Sequence, residues 1–297
     1  MADKNFTPTV AQMKLTKNGG SSYVVRLRDG SFIVIDGGES DKYDSNSYKA
    51  NSETLWNYLS NNGKNHPIIS AWMITHFHFD HVNCASEFLV EYKERMTVKL
   101  FAYNHYGYED KVRCLAEEAD WEAAMAAHQN AERYILKTGD KLTFDGATVD
   151  ILISAADPYP EDRFDQNRIS AAFKMTFDSG KSFFVFGDCD TERLSKLREP
   201  TSTVYRPDTE LSCDFLQVPH HGLPMGEDEF LAKNRDLYEV MAPKISLYSI
   251  CREKFATYPK IIGERFVDNQ YLRINTECYT HDRITEVNMN DLSVTVK

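Results

Sequence analysis

The strongest chemical signal in this chain is a run of four side chains in the pattern His-x-His-x-Asp-His: His76, His78, Asp80 and His81. Imidazole nitrogens bind divalent cations well, and a carboxylate adds compensating charge. In an extended segment, residues two apart point the same way, so His76 and His78 can share one ion. Where the strand gives way to a turn, Asp80 and His81 can face a second ion about 3.5–4 Å away. Two later sites offer further donors. Asp188 follows the apolar run Phe183–Phe186 and Gly187, where the absence of a side chain leaves room beside it. A carboxylate there is expected to bridge two ions. His220 and His221 follow another short apolar run and precede Gly222. Adjacent residues in an extended segment point to opposite sides, so one of the pair is expected to bind metal. The other then contacts substrate or donates a proton.

The expected chemistry is hydrolysis. Metal binding lowers the pKa of water from 15.7 toward about 7 and polarises a phosphoryl or carbonyl oxygen. Asp80 is assigned a second role in orienting the nucleophile. Two divalent ions are the expected cofactor, zinc first, with manganese or iron as alternatives.

Each of these residues needs an element to hold it. A hairpin is expected from Tyr23–Leu27 and Phe32–Ile35 around Arg28-Asp29-Gly30, and its second strand ends at Asp36-Gly37-Gly38. A helix is expected over Ser52–Leu59. Ile68–Ile74 reads as a buried strand that runs directly into the histidine cluster. A helix from His81 to about Tyr92, a strand at Val98–Ala102 and a long helix over Glu109–Glu132 follow. Strands then dominate: Lys141–Phe144, Thr148–Ile153, Ser170–Phe177, Ser182–Phe186 and Phe215–Val218. Helices are expected near Asp228–Val240 and Ile261–Val267, and strands near Ile284–Val287 and Leu292–Val296. Two groups of strands, each with helices, imply an α/β (α+β) fold of two sheets packed face to face with helices outside. No linker divides the 297 residues, so 1–297 reads as a single domain.

The ordered set Asp36-Gly37-Gly38, His76-x-His78-x-Asp80-His81, Gly187-Asp188 and Pro219-His220-His221-Gly222 resembles the metallo-β-lactamase superfamily, from about residue 20 to the C-terminus. The resemblance implies a four-layer αββα sandwich with a one- or two-metal site at the sheet edges. It implies that Asp36 supports the ligands by hydrogen bonds rather than binding metal. The Pro-His-His-Gly signature and the absence of a third-motif histidine resemble the ComEC-like, phosphodiesterase-like hydrolases. In that branch an Asn-x-x-Ser segment precedes the Gly-Asp strand, as Asn167-Arg168-Ile169-Ser170 does here. Asn167 and Ser170 are then expected to bind substrate, Asn167 as a neutral donor. The branch also leads to His221 as the ligand and His220 as the catalytic partner. Leu223 departs from it, standing where its members carry Ser. With no channel attached, DNA uptake does not carry over.

Three functions compete: a phosphodiesterase-like hydrolase, an acyl hydrolase acting on a lactone, thioester or amide, and a metal-binding protein without turnover. A flavodiiron oxidoreductase is disfavoured, because that group carries Glu where His78 stands. The balance of 34 Lys+Arg against 45 Asp+Glu gives a net charge of -11. It disfavours nucleic acid as partner and leaves a small anionic or ester substrate. The sequence shows neither a membrane-spanning run nor an N-terminal apolar leader, so a cytoplasmic protein without membrane contact is expected. The stretch Tyr103–Arg133 is either an outer-layer helix, a lid or a homo-oligomer contact. The six cysteines form no CxxC pair and read as free thiols, with Cys84 and Cys189 beside ligand motifs. His281 reads as a surface residue near a turn, and His66, His105 and His128 as structural or solvated.

Overall fold

The computed structural model describes residues 5–16, 20–40, 45–105, 114–156, 166–189, 199–200, 210–222, 239–257 and 276–297. Two sheets dominate it. The first runs β16-β15-β1-β2-β3-β4-β6-β7, with β5 also on β4. Its strands are β1 (Thr9–Gln12), β2 (Ser22–Arg26), β3 (Phe32–Asp36), β4 (Ile68–Ile74), β5 (Thr97–Val98), β6 (Leu100–Tyr103), β7 (Glu132–Ile135), β15 (Thr285–Asn288) and β16 (Val294–Val296). The second runs β14-β13-β12-β11-β10-β9-β8. It comprises β8 (Lys141–Phe144), β9 (Ala147–Ile153), β10 (Ala172–Phe177), β11 (Ser182–Val185), β12 (Phe215–Gln217), β13 (Ile245–Tyr248) and β14 (Glu277–Thr280).

The side-chain period explains the layering. In a strand, alternate residues face opposite sides. Ile33 and Ile35, Ala71 and Met73, Phe183 and Val185, and Phe215 all enter one core between the sheets. Their neighbours Val34, Trp72 and Ile74 enter a second core on the outer face of the first sheet. Phe184 and Leu216 enter a third on the outer face of the second sheet. Strands buried on both faces read as unbroken apolar runs, which is why they stand out in the sequence.

Helices α1 (Ser45–Ser60), α2 (Phe79–Glu91) and α3 (Leu115–Ala126) cover the first sheet. They contribute Leu55, Trp56, Val82, Phe88, Trp121 and Met125 to the second core. Each helix lies in a crossover between parallel strands: α1 joins β3 to β4, α2 precedes β5 and β6, and α3 joins β6 to β7. Parallel neighbours require such a crossover, whereas the antiparallel pairs β2–β3, β8–β9 and β10–β11 are joined by short turns. In the second sheet β11, β12, β13 and β14 run parallel.

Several expectations need correction. The long helix of Glu109–Glu132 is in fact α3 alone among the described residues; the chain then turns and continues as β7. The Ala- and Glu-rich composition favoured helix, but pairing with β6 captured Glu132–Ile135 as an edge strand. The structure adds strands β1, β13 and β14 to those expected. Trp121, Ala124 and Met125 are buried, so α3 is an outer-layer helix. The helices expected near Asp228–Val240 and Ile261–Val267 lie outside the described residues, apart from Glu239 and Val240. No helix among the described residues is long and apolar enough to cross a membrane.

The inter-sheet core centres on Phe183, stacked on Phe215 at 4.4 Å and tilted against Tyr23 at 5.6 Å. It is fully buried. Phe183→Ala is therefore expected to lower unfolding free energy by about 3–5 kcal/mol, measured by denaturant titration. A loss below about 1 kcal/mol would show that this core collapses around the gap.

Candidate metal centre

The carboxyl ends of the parallel strands from both sheets meet at one edge, where open α/β sheets place their ligands. β3 delivers Asp36, and β4 runs on to His76. β11 leads to Asp188, and β12 to His220 and His221. The chain there is pinned by hydrogen bonds: between the sheets, Ala171 N–H donates to the Thr75 carbonyl at 2.9 Å, and within the second sheet's edge His220 N–H donates to the Gly187 carbonyl at 3.2 Å.

Asp36 is fully buried and has a left-handed backbone (φ 56°). Its carboxylate accepts from the Thr75 N–H at 2.9 Å, from Thr75 Oγ1 at 2.9 Å and from His81 Nδ1 at 2.7 Å. Asp36 thus orients the histidine loop and His81. His76 Nδ1 lies 3.2 Å from Thr75 Oγ1, and His221 Nδ1 donates to the Ser249 carbonyl at 2.8 Å. The three imidazoles share one logic: Nδ1 is engaged by the protein, which fixes the ring and turns Nε2 inward.

What Nε2 faces is Asp188. Its carboxylate stands 3.8 Å from His76 Nε2, 3.2 Å from His81 Nε2 and 3.5 Å from His221 Nε2. Asp80 reaches His221 Nε2 at 3.0 Å. His76 Nε2, His81 Nε2, His221 Nε2 and Asp188 Oδ1 are buried and make no hydrogen bond. Orphaned buried polar atoms are rare and each costs about 1–3 kcal/mol. Four converging on one point fit a cation. Two groups of donor atoms lie within metal-binding reach, His76-His81-Asp188 and Asp80-His81-His221. His78, half-buried at the start of α2, sets its ring 4.8 Å from that of His76 but belongs to neither group.

The electrostatics agree. Burial would push the Asp188 and Asp80 carboxyls up, but the His81 and His221 charges outweigh it and hold both well below the ordinary range. Burial likewise opposes charge on His221, yet Asp188 and Asp80 raise it to about 10. Asp188, Asp36 and Asp80 raise His81 well above its usual value. Burial and the neighbouring His81 keep His76 well below. The carboxylates thus demand positive charge on the inner nitrogens, and a second proton or a divalent ion are alternative ways to supply it.

The His220-His221 segment is not extended as expected. It is a short kinked turn, with both residues left-handed (φ 48° and 55°). Such a conformation costs of order 1–3 kcal/mol per non-glycine residue and collects at functional sites. The kink separates the two rings, whose centroids lie 6.0 Å apart. His221 is buried against the carboxylates. His220, half-buried, sits 3.2 Å from the Asn167 amide nitrogen.

Ser170, expected to bind substrate, is fully buried, and its Oγ accepts the Asp188 N–H at 3.2 Å. It props the carboxylate loop instead. His281, expected at the surface, is fully buried, with no hydrogen bond to either ring nitrogen. It stands at the end of β14, on the same edge as the other strand ends, and burial lowers its pKa to about 4, with a further push from His221. Cys84 and Cys189 are buried and, like Cys114, Cys213 and Cys251, are free thiols. Sequence reasoning passed over Thr75 and Gln217. Gln217 accepts the Phe186 N–H at 2.8 Å and donates to the Gly187 carbonyl at 3.0 Å, clamping the turn before Asp188. One polar residue inside the apolar run Phe215–Val218 was the available signal.

A family model of the metallo-β-lactamase superfamily matches residues 15–96, the stretch holding Asp36 and the histidine cluster. Three solved structures are similar over most of the chain. YhfI from Bacillus subtilis, a metallo-β-lactamase fold protein, is 12% identical at TM-score 0.52, covering 98% of this chain and 100% of its own. Unliganded yeast PDE1 is 11% identical at TM-score 0.54, covering 93% and 98%. CmlA, a diiron β-hydroxylase from Streptomyces venezuelae, is 12% identical at TM-score 0.51, covering 91% of this chain and 52% of CmlA, so the chain spans about half of CmlA. At these identities the likeness establishes the fold. No curated protein sequence matches the chain.

Two outcomes follow from the geometry. At Gly187 (φ 56°) an added Cβ would lie 2.7 Å from Thr75 Cβ and 3.1 Å from Ser170 Cβ. Gly187→Ala is expected to cost at least about 1–3 kcal/mol by thermal unfolding and to lower bound metal by elemental analysis. In chelator-treated protein, the raised pKa of His221 contributes stability that is complete below its unfolded value of about 6.5. That contribution is lost as pH rises through about 10. Saturating zinc, which takes the proton's place, should flatten this decline in the pH dependence of the melting temperature.

Proposed function

We propose that this chain, whose two-sheet fold is that of the metallo-β-lactamase superfamily, is a metal-dependent hydrolase that cleaves a phosphate ester, a phosphodiester first. The observation that carries the metal reading is the convergence of His76, His81 and His221 Nε2 with Asp188 Oδ1, all buried and without hydrogen bonds. His76, His78, Asp80, His81, Asp188 and His221 would hold one or two divalent ions, zinc first and manganese or iron otherwise. Asp188, within 3.8 Å of three imidazole nitrogens, would be the shared ligand, and those distances support that role.

The ions would supply Lewis acidity and a nucleophile at neutral pH. The chain's own residues do the rest. Asp36, Thr75 and the Ser249 carbonyl lock the three ring orientations. Asp80 takes the hydrogen bond of the attacking water. His220 holds a phosphoryl oxygen or protonates the leaving group. Asn167, 3.2 Å from His220, orients that ring or the substrate.

The choice of a phosphodiester rests on two motifs. Pro219–Gly222, and Asn167–Ser170 in place of a third-motif histidine, support the ComEC-like, phosphodiesterase-like branch. The net charge of -11 favours a small substrate over nucleic acid.

The test is turnover of bis(4-nitrophenyl) phosphate beside a nitrophenyl acyl ester. Diester hydrolysis that is abolished by chelation and restored by zinc, manganese or iron is expected. Turnover of the acyl ester alone would replace the substrate class, and no bound metal after reconstitution would sink the reading. His221→Ala should deplete metal, whereas His220→Ala should keep it and lose about 10²- to 10⁴-fold in kcat.

A further inference from the structure

His221, like Asp188, comes to the centre from the second sheet, and its orientation depends on the Ser249 carbonyl, which accepts from Nδ1 at 2.8 Å. Ser249 follows the last residue of β13 and belongs to no strand. The loop that carries it is held from the other sheet. Tyr23, on β2, pairs its hydroxyl with Ser249 Oγ at 2.7 Å. Gln12, on β1, donates from Nε2 to the Tyr248 carbonyl at 2.8 Å and lies 3.4 Å from the Tyr23 hydroxyl. Gln12, Tyr23 and Ser249 are all at most 1% exposed.

We infer that Tyr23 and Gln12 are positioning residues of the metal centre: across the sandwich they fix the 248–249 loop and, through the Ser249 carbonyl, the aim of His221. Three features support this. Burial raises the Tyr23 hydroxyl well above its ordinary range, so it remains a neutral hydrogen-bonding group at any working pH. Polar groups in an otherwise apolar inter-sheet core are costly to bury unless satisfied. The hydrogen bonds they make here converge on the loop whose Ser249 carbonyl holds His221. A carbonyl that engages a ligating imidazole's second nitrogen controls both its ring angle and its basicity, and disturbing such a partner typically lowers metal affinity 10- to 100-fold.

The inference rests on the metal-binding half of the proposed function and not on the substrate. Zinc affinity of the whole chain, measured by competition with a chromophoric chelator, tests it without any assay of turnover. Tyr23→Phe and Ser249→Ala should each weaken one zinc site by about 10- to 100-fold and leave the other unchanged. Because Tyr23 acts through Ser249, the double variant should be no weaker than the poorer single variant. A merely structural role predicts something else: lower melting temperatures of zinc-free and zinc-loaded protein alike, with unchanged affinities, and that result overturns the inference. If Tyr23→Phe fails to fold, Ser249→Ala alone decides, since it keeps the carbonyl and removes only the tether. Zinc bound by neither wild type nor variants would overturn the metal-binding reading, and this inference with it.

Discussion

Three carboxylates, Asp36, Asp80 and Asp188, share one corner of the molecule, and two of them are almost wholly removed from water. An ion taken from water into such surroundings loses several kcal/mol even after relaxation. The structure tolerates this only where positive charge or hydrogen-bond donors meet the oxygens. Asp36 is satisfied by donors from Thr75 and His81. Asp188 is not, because one of its oxygens has no donor, and the nitrogens around it present lone pairs unless they carry an extra proton. The corner therefore calls for positive charge, as an extra proton or as the metal ion its donor groups could hold, and the surrounding backbone is arranged around that need.

That need accounts for local structure that is otherwise unfavourable. Asp36, His220 and His221 take left-handed backbones that L-residues avoid, and Gly187 fits only because it has no Cβ. Each strained position falls at the end of a strand whose remaining residues are ordinary alternating core. The strands absorb the strain: Phe183, Phe215, Ile33 and Met73 bind the two sheets so firmly that their ends stay where the core puts them. A site placed at strand ends inherits the rigidity of both sheets, and its donors come from segments up to 185 positions apart, from Asp36 to His221.

Polar residues at or just beyond the strand ends serve the same end. Gln217 holds the turn before Asp188, and Asn104 ties the end of β6 to the Ile169 carbonyl at 2.6 Å and to the Ala155 N–H at 2.7 Å. Their side chains replace ladder hydrogen bonds where strands give way to functional turns. Ser170 belongs to this group: its sequence position suggested contact with substrate, while its burial beside Gly187 makes it part of the scaffold.

The sequence by itself determined the fold class and the cluster of candidate ligands. Short apolar runs rich in β-formers such as Phe183–Phe186 read as strands buried on both faces, and His-x-His-x-Asp-His concentrates its donors within six residues. Those signals are local, so they survive without coordinates. Other features were decided by partners distant in the chain. Glu132–Ile135 became a strand because β6 was there to pair with it, against a helix-favouring composition. His281 is buried because β14 ends under the loops of both sheets. His221 rather than His220 turns toward the carboxylates because a left-handed kink replaces the expected extended chain. The tether from Tyr23 to Ser249 joins residues 226 positions apart. No local pattern encodes such a contact, because it exists only once two sheets have packed and brought their strand ends to a common edge.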